Sequence, residues 1–225
     1  MKKSIFLTIL VYLIFPLTTL AESVVDYDIN KYNIEANIKN NGDLNVCEYI
    51  KLTGSFNGYI RDVFYKEGDE TYTPTNIREI NVYDLNVNTM TKGNIFIYDD
   101  NALKGDVFKY NIQNNYNGPT ITMFNENTSG SKGFVLCYTL ENAVLVHNDV
   151  AELYYNFIPD GFEDKLKNVE VKVNLNEFDE TLKVWAHGAL YGNVTKQNSN
   201  TNSYLLASID YVNPGEVVNI RMTFD

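Results

Sequence analysis

The sequence predicts an all-β fold, an antiparallel β-sandwich of immunoglobulin-like or related type, and three observations predict it. From Asp26 onward apolar and polar residues alternate with a period of two, the pattern of strands with one buried and one wet face. Turn residues punctuate the runs at Asn40-Asn41-Gly42-Asp43, Asn57-Gly58, Asn117-Gly118-Pro119, Ser129-Gly130-Ser131 and Asn213-Pro214-Gly215, each supplying the backbone freedom a reversal needs. No stretch repeats apolar residues at helical spacing over three turns, so helix is confined to short pieces. Roughly ten to twelve short strands at this spacing suit two packed sheets.

The chain opens with Lys2 and Lys3, an apolar run from Ile5 to Leu17, and the small-residue site Thr19-Leu20-Ala21. That order marks an export signal spanning residues 1–21 and cut after Ala21. It is too short for a membrane span, which needs roughly 20 apolar residues, and Pro16 interrupts it. No Cys follows it to carry a lipid. The remainder, 22–225, reads as one extracytoplasmic domain, with a candidate sub-boundary near 144–148. Lys66 to Thr75 and Gln197 to Asn202 are the least ordered segments on composition.

"KYNIEANIK" places Tyr32, Ile34, Ala36 and Ile38 on one face. "LNVCEYIKL" does the same with Leu44, Val46, Ile50 and Leu52, but Glu48 stands on that apolar face. "GFVLCYTL" buries Phe134, Leu136, Tyr138 and Leu140; "NVEVKVNL" buries Val169, Val171, Val173 and Leu175; "VVNIRMTF" buries Val218, Ile220, Met222 and Phe224. Cys47 and Cys137 fall on the opposite faces of their strands. A bridge between them is chemically permitted in an exported chain, but it requires the two strands to be neighbours. The sequence does not place them so, and two unbridged thiols are the expectation, with the disulfide as the alternative.

"FNGYIRDVFY", Phe56 to Tyr65, sets an arginine and an aspartate in an aromatic strand. Strand neighbours point to opposite faces, so Tyr59, Arg61 and Val63 line one side and Ile60, Asp62 and Phe64 the other. Arg61 therefore needs another acid. An inward Glu48 without a partner would cost several kcal/mol, so an Arg61–Glu48 contact is expected, with Glu152 as the alternative acid. The reading is a structural ion pair; a ligand-binding arginine is the competing one.

Charge excludes some functions. The formal net charge is −11, and the only arginines are Arg61, Arg78 and Arg221, so there is no electrostatic footprint for nucleic acid. Anionic headgroups would repel such a chain, and no segment between Glu22 and Asp225 is apolar enough to insert; membrane contact would come through a segment outside this chain. "HNDVAELYYNF" gathers His147, Asp149, Glu152 and Tyr154, yet Asp149 and Glu152 are three apart and fall on opposite faces of a strand, not as the paired carboxylates of a glycosidase. There is no nucleophile elbow, and the histidines are His147 and His187 alone. No cofactor or metal is expected: zinc spacings are missing, and "DDNALKGD", Asp99 to Asp106, departs from the calcium-loop spacing. The 17 tyrosines could stack a sugar, but in strands they more often fill a half-buried face.

Several of these runs together resemble one family. "NNGDLNVCEYIKLTGSFNGYIRDV", "GFVLCYTLENAVLVHNDVAELYYNFIPDGFEDKLKNVEVKVNL" and "VWAHGALYGNV" through "NPGEVVNIRMTF" are similar, in order, to the DUF2207 family of predicted bacterial membrane proteins. Glu48, Gly58, Arg61, Asp62, Asp149, Glu152, Leu153, Tyr154, Gly188 and Gly192 match its recurring positions. Val63-Phe64 stand where the family tends to show Ile-Pro, and Tyr155 replaces a usual Trp. The resemblance implies an extracytoplasmic β-domain followed by a membrane helix, with no established activity. The expectation is thus a non-enzymatic ectodomain at the cell membrane, an interaction module whose partner is an envelope protein or glycan. A secreted carbohydrate-binding module or carbohydrate-active enzyme is the alternative, and it gains if the chain ends at Asp225.

Overall fold

Alternation becomes two sheets. The computed structural model describes residues 26–65, 74–189 and 191–225; the export signal and most of the Lys66–Thr75 segment lie outside the described residues. Fourteen strands form there: β1 Asp26–Ile38, β2 Leu44–Asp62, β3 Asn76–Asn86, β4 Thr91–Ile95, β5 Ile97–Tyr98, β6 Lys109–Asn114, β7 Pro119–Glu141, β8 Val144–Val146, β9 Ala151–Ile158, β10 Leu166–Asn174, β11 Lys183–Gly188, β12 Gly192–Asn198, β13 Ser203–Val212 and β14 Val218–Phe224. The count exceeds the sequence expectation because β4, β5 and β8 are too short to show alternation. Among the described residues no helix forms, and none is long and apolar enough to cross a membrane.

The large sheet runs β12-β13-β10-β1-β2-β7-β3-β4, with β6 on β7 and β5 on β6; the small sheet runs β11-β14-β9-β8. After β7 the chain crosses to the small sheet through β8 and β9, then returns as β10 beside β1. It re-enters in the same direction as β1, so that central pair is parallel, with Ile34 opposite Val171. The short β5–β6 pair is parallel too, and the remaining pairs are antiparallel. Gln197–Asn202 is an ordered hairpin corner: β12 runs to Asn198, and Ser199 N–H donates to the Asn202 carbonyl at 2.8 Å.

One cluster of buried side chains draws on both sheets: Ile34, Ile50, Leu136 and Val171 from the large one face Leu153, Phe157, Ile220 and Met222 from the small one. Each such side chain contributes about 1.5–3 kcal/mol on burial, which is what drives the sheets together.

Cys47 and Cys137 are bridged, correcting the expectation of two free thiols. They stand directly opposite one another in the β2–β7 register, with Cα atoms 4.1 Å apart. As expected, both point away from the main core; they join Leu85 and Val135 in a small cluster on the outer face. The bond ties positions 90 residues apart, a closure worth about 4–5 kcal/mol in the chain-entropy model.

A buried arginine beneath a surface cleft

Glu48 and Arg61 lie on one strand, thirteen positions apart. Fully extended, that separation is about 43 Å. The Arg61 Nε nevertheless donates to Glu48 Oε2 at 2.8 Å, so β2 folds back on itself between them. The fold-back is written in its glycines. Gly54 adopts φ +142°, where a Cβ would sit 2.2 Å from the Asp26 carbonyl oxygen. A Cβ at Gly58 would lie 2.4 Å from the Met123 carbonyl oxygen, and a bulge interrupts the β2–β7 ladder between Phe56 and Gly58. The contact expected from sequence is present, and a bent strand makes it.

The side chain of Glu48 is 0% exposed and that of Arg61 5%. Glu48 lies opposite Ile34 on β1 and Leu136 on β7, so Tyr32 and Tyr138, two residues along each neighbour, are its diagonal neighbours on the inward face. Both hydroxyls donate to it: Tyr138 Oη to Oε1 at 2.7 Å and Tyr32 Oη to Oε2. Arg61 Nη2 donates to Oε1 at 3.2 Å, and Nη1 donates to the Asp62 carbonyl. Each carboxylate oxygen thus accepts from arginine and from tyrosine. Burial alone would push the Arg61 guanidinium down, but the Glu48 charge holds it well above its ordinary value. Burial, reinforced by Glu48, pushes the Tyr32 and Tyr138 phenols well above theirs, so they remain donors. Sequence reading missed both tyrosines as members of this site. The signal was there, since an inward Tyr needs a partner for its hydroxyl.

Above this network opens a cleft of about 300 Å³, walled by Tyr27, Tyr59, Phe64 and Phe162 and rimmed by Asp62, Glu163 and Asp164. Arg61 forms part of its lining, with its guanidinium carbon 4.7 Å from the Phe162 ring centroid. Asp62 is exposed and accepts from Thr120 Oγ1. Burial, with Asp164 and Glu163 close by, pushes the Tyr27 phenol up to about 12. Two stretches distant in sequence, Tyr59–Phe64 and Pro159–Asp164, meet here. The two departures from the family pattern also touch: Tyr155 Oη donates to the Phe64 carbonyl at 2.8 Å.

The remaining candidates lie elsewhere. Glu152 does not serve Arg61, correcting that alternative. It sits on β9 and accepts from Arg221 Nε, with His147 Nε2 at 3.2 Å. Asp149 is exposed in the turn between β8 and β9, closed by His147 N–H donating to the Val150 carbonyl at 2.8 Å. On β14, Arg221 is flanked by Tyr154 of β9 and Trp185 of β11, with the guanidinium carbon 5.3 Å from the Trp185 ring centroid. Within Asp99–Asp106, Lys109 Nζ bonds Asp99 at 2.9 Å and Asp106 at 3.4 Å. Among the described residues no group of three His, Cys, Asp or Glu side chains is arranged to hold a metal.

Fold and site together define a class, an all-β sandwich domain whose core charges are internally paired and whose concave surface lies at one end of the bent β2. The chain belongs to the DUF2207 family: the model of the predicted membrane protein (DUF2207) N-terminal domain matches residues 28–224. No curated protein matches the chain. Among solved structures it is similar to a mutant two-domain M1 zinc metallopeptidase bound to L-tryptophan, at TM-score 0.48 and 8% identity over 88% of this chain and 43% of that one. An M1 zinc metallopeptidase from Deinococcus radiodurans gives TM-score 0.47 and 10% identity over 87% and 42%. The chain therefore spans less than half the length of these structures.

Proposed function

We propose that this is the extracytoplasmic, non-enzymatic domain of a membrane-anchored protein, and that it works as an interaction module presenting the cleft beside Arg61. One observation carries the reading: among the described residues, both glutamates buried in strands, Glu48 and Glu152, are engaged by arginines. Paired in this way, each carboxylate is committed to contacts within the fold. The charge left over is on the surface, around a concave aromatic site.

The test is topological. In intact native cells stripped of their wall, protease added outside should digest the domain while it sediments with membranes. Digestion only after lysis would overturn the extracytoplasmic reading. A second reading, carbohydrate binding, draws on the Trp185–Arg221–Tyr154 row across the small sheet. It predicts a change in the emission of Trp185, the chain's single tryptophan, on adding soluble oligosaccharides.

A further inference from the structure

We infer that the cleft beside Arg61 receives a lysine or arginine side chain of a partner polypeptide; the inference rests on the interaction-module reading and names its ligand. The cleft, about 300 Å³, is at the small end of ligand sites, suited to one side chain. Four aromatic residues, Tyr27, Tyr59, Phe64 and Phe162, line it, and the Phe162 ring already carries one cation, the Arg61 guanidinium, 4.7 Å from its centroid. The rim of the cleft carries three carboxylates, Asp62, Glu163 and Asp164, and among the described residues no lysine lines it. The one cation in the lining, Arg61, is neutralised by Glu48 through two hydrogen bonds, and its remaining terminal nitrogen serves the Asp62 carbonyl. An anionic ligand would have to compete with a carboxylate in the core for that fork. The site is therefore negative where a ligand enters, in a chain of net charge −11.

A second cleft makes the occupant a polypeptide instead of a small amine. It measures about 340 Å³, is lined by Met123, Phe124 and Thr122 with Lys104 as its one cation among the described residues, and shares Tyr27, Tyr59 and Ile60 with the first. Ile60, between them, is 60% exposed. An acidic aromatic cleft beside an apolar one matches a segment with a basic residue next to an apolar residue.

The experiment titrates the isotope-labelled full chain with blocked peptides Gly-Lys-Leu-Gly, Gly-Arg-Leu-Gly and Gly-Glu-Leu-Gly, following backbone amide resonances. The Lys and Arg peptides should move amides of residues 57–62 and 160–164 saturably, and the Glu peptide should not. Glu163→Gln with Asp164→Asn, both exposed, should weaken binding about tenfold, as should high salt, while Asp210→Asn, not part of either lining, leaves it unchanged. Equal binding of the Glu peptide, no saturable shift with either basic peptide, or shifts confined to another face would overturn the inference. Cadaverine binding as tightly as the peptides would overturn the polypeptide part, and calcium ions displacing them from the same amides would reassign the site to a metal. Cross-linking of the domain to an envelope partner that survives in the Glu163→Gln/Asp164→Asn variant would leave the interaction module standing and remove only this ligand.

Discussion

Two glutamates among the described residues are nearly sealed from water, and each is held by an arginine. Their settings differ. Glu48 meets an arginine that is 5% exposed and two tyrosine hydroxyls within the core; Glu152 meets an arginine that is 45% exposed and His147 at the surface. In the first site both charges have lost water, so each depends wholly on the others, and removing one strands the rest in low dielectric. In the second, water screens Arg221 while Glu152 stays 5% exposed and keeps His147 as a further partner. The same residue pair is thus a keystone in one place and a surface contact in the other, and burial of the arginine decides which.

The largest expected effect is at the buried pair. Arg61→Ala should cost about 3–5 kcal/mol in urea unfolding, with Glu48 left uncompensated; a loss under about 1 kcal/mol would erase the contrast between the sites. Tyr138→Phe, which removes one hydroxyl from Glu48 at 2.7 Å, should cost about 1.5–3 kcal/mol, the range for hydrogen bonds to charged groups.

The phenols also set a pH limit. Burial, the first cause in each, pushes the folded Tyr27 and Tyr49 phenols up to about 12 against an ordinary 10.0, and pushes those of Tyr32 and Tyr138 well above it. Groups raised on folding contribute stability that is complete below the unfolded value and lost as pH rises through the folded one. Stability should accordingly hold to about pH 10 and fall above it, and Tyr138→Phe should flatten that alkaline fall. A chain equally stable at pH 9 and 12 would contradict these burial assignments. The smallest effect belongs to the pair with the exposed arginine: Arg221→Ala should cost less than Arg61→Ala, and less still at high salt, because Arg221 is 45% exposed. A cost matching that of Arg61→Ala would show that burial of the arginine is not what separates the two sites.

Much of this was legible in the residues. Alternation named the inward face of each strand, and Glu48 stood out there as the one carboxylate among Leu44, Val46, Ile50 and Leu52, which is why its pairing with Arg61 could be expected. Which strands are neighbours could not be read, because pairing is a long-range choice that alternation leaves open. Cys47 and Cys137 therefore looked unbridged although β2 and β7 set them face to face, and Glu152 looked available to Arg61 although Arg221 holds it. The fold-back at Gly54 and Gly58, and the meeting of Tyr59–Phe64 with Pro159–Asp164 at the cleft, also depend on tertiary packing, so the aromatic walls were invisible one strand at a time.

The most direct test of the central claim, that the Arg61 network is a structural keystone beneath an otherwise independent surface cleft, is a double-mutant cycle by urea unfolding with Glu48→Gln, Arg61→Met and the pair together. The account predicts that each single change is strongly destabilising and that the double variant recovers at least about 2 kcal/mol of their sum, since similar-sized groups without charges avoid the stranded ion. Strictly additive effects, or an Arg61→Met chain as stable as the parent, would contradict it and return Arg61 to the position of a ligand-binding residue.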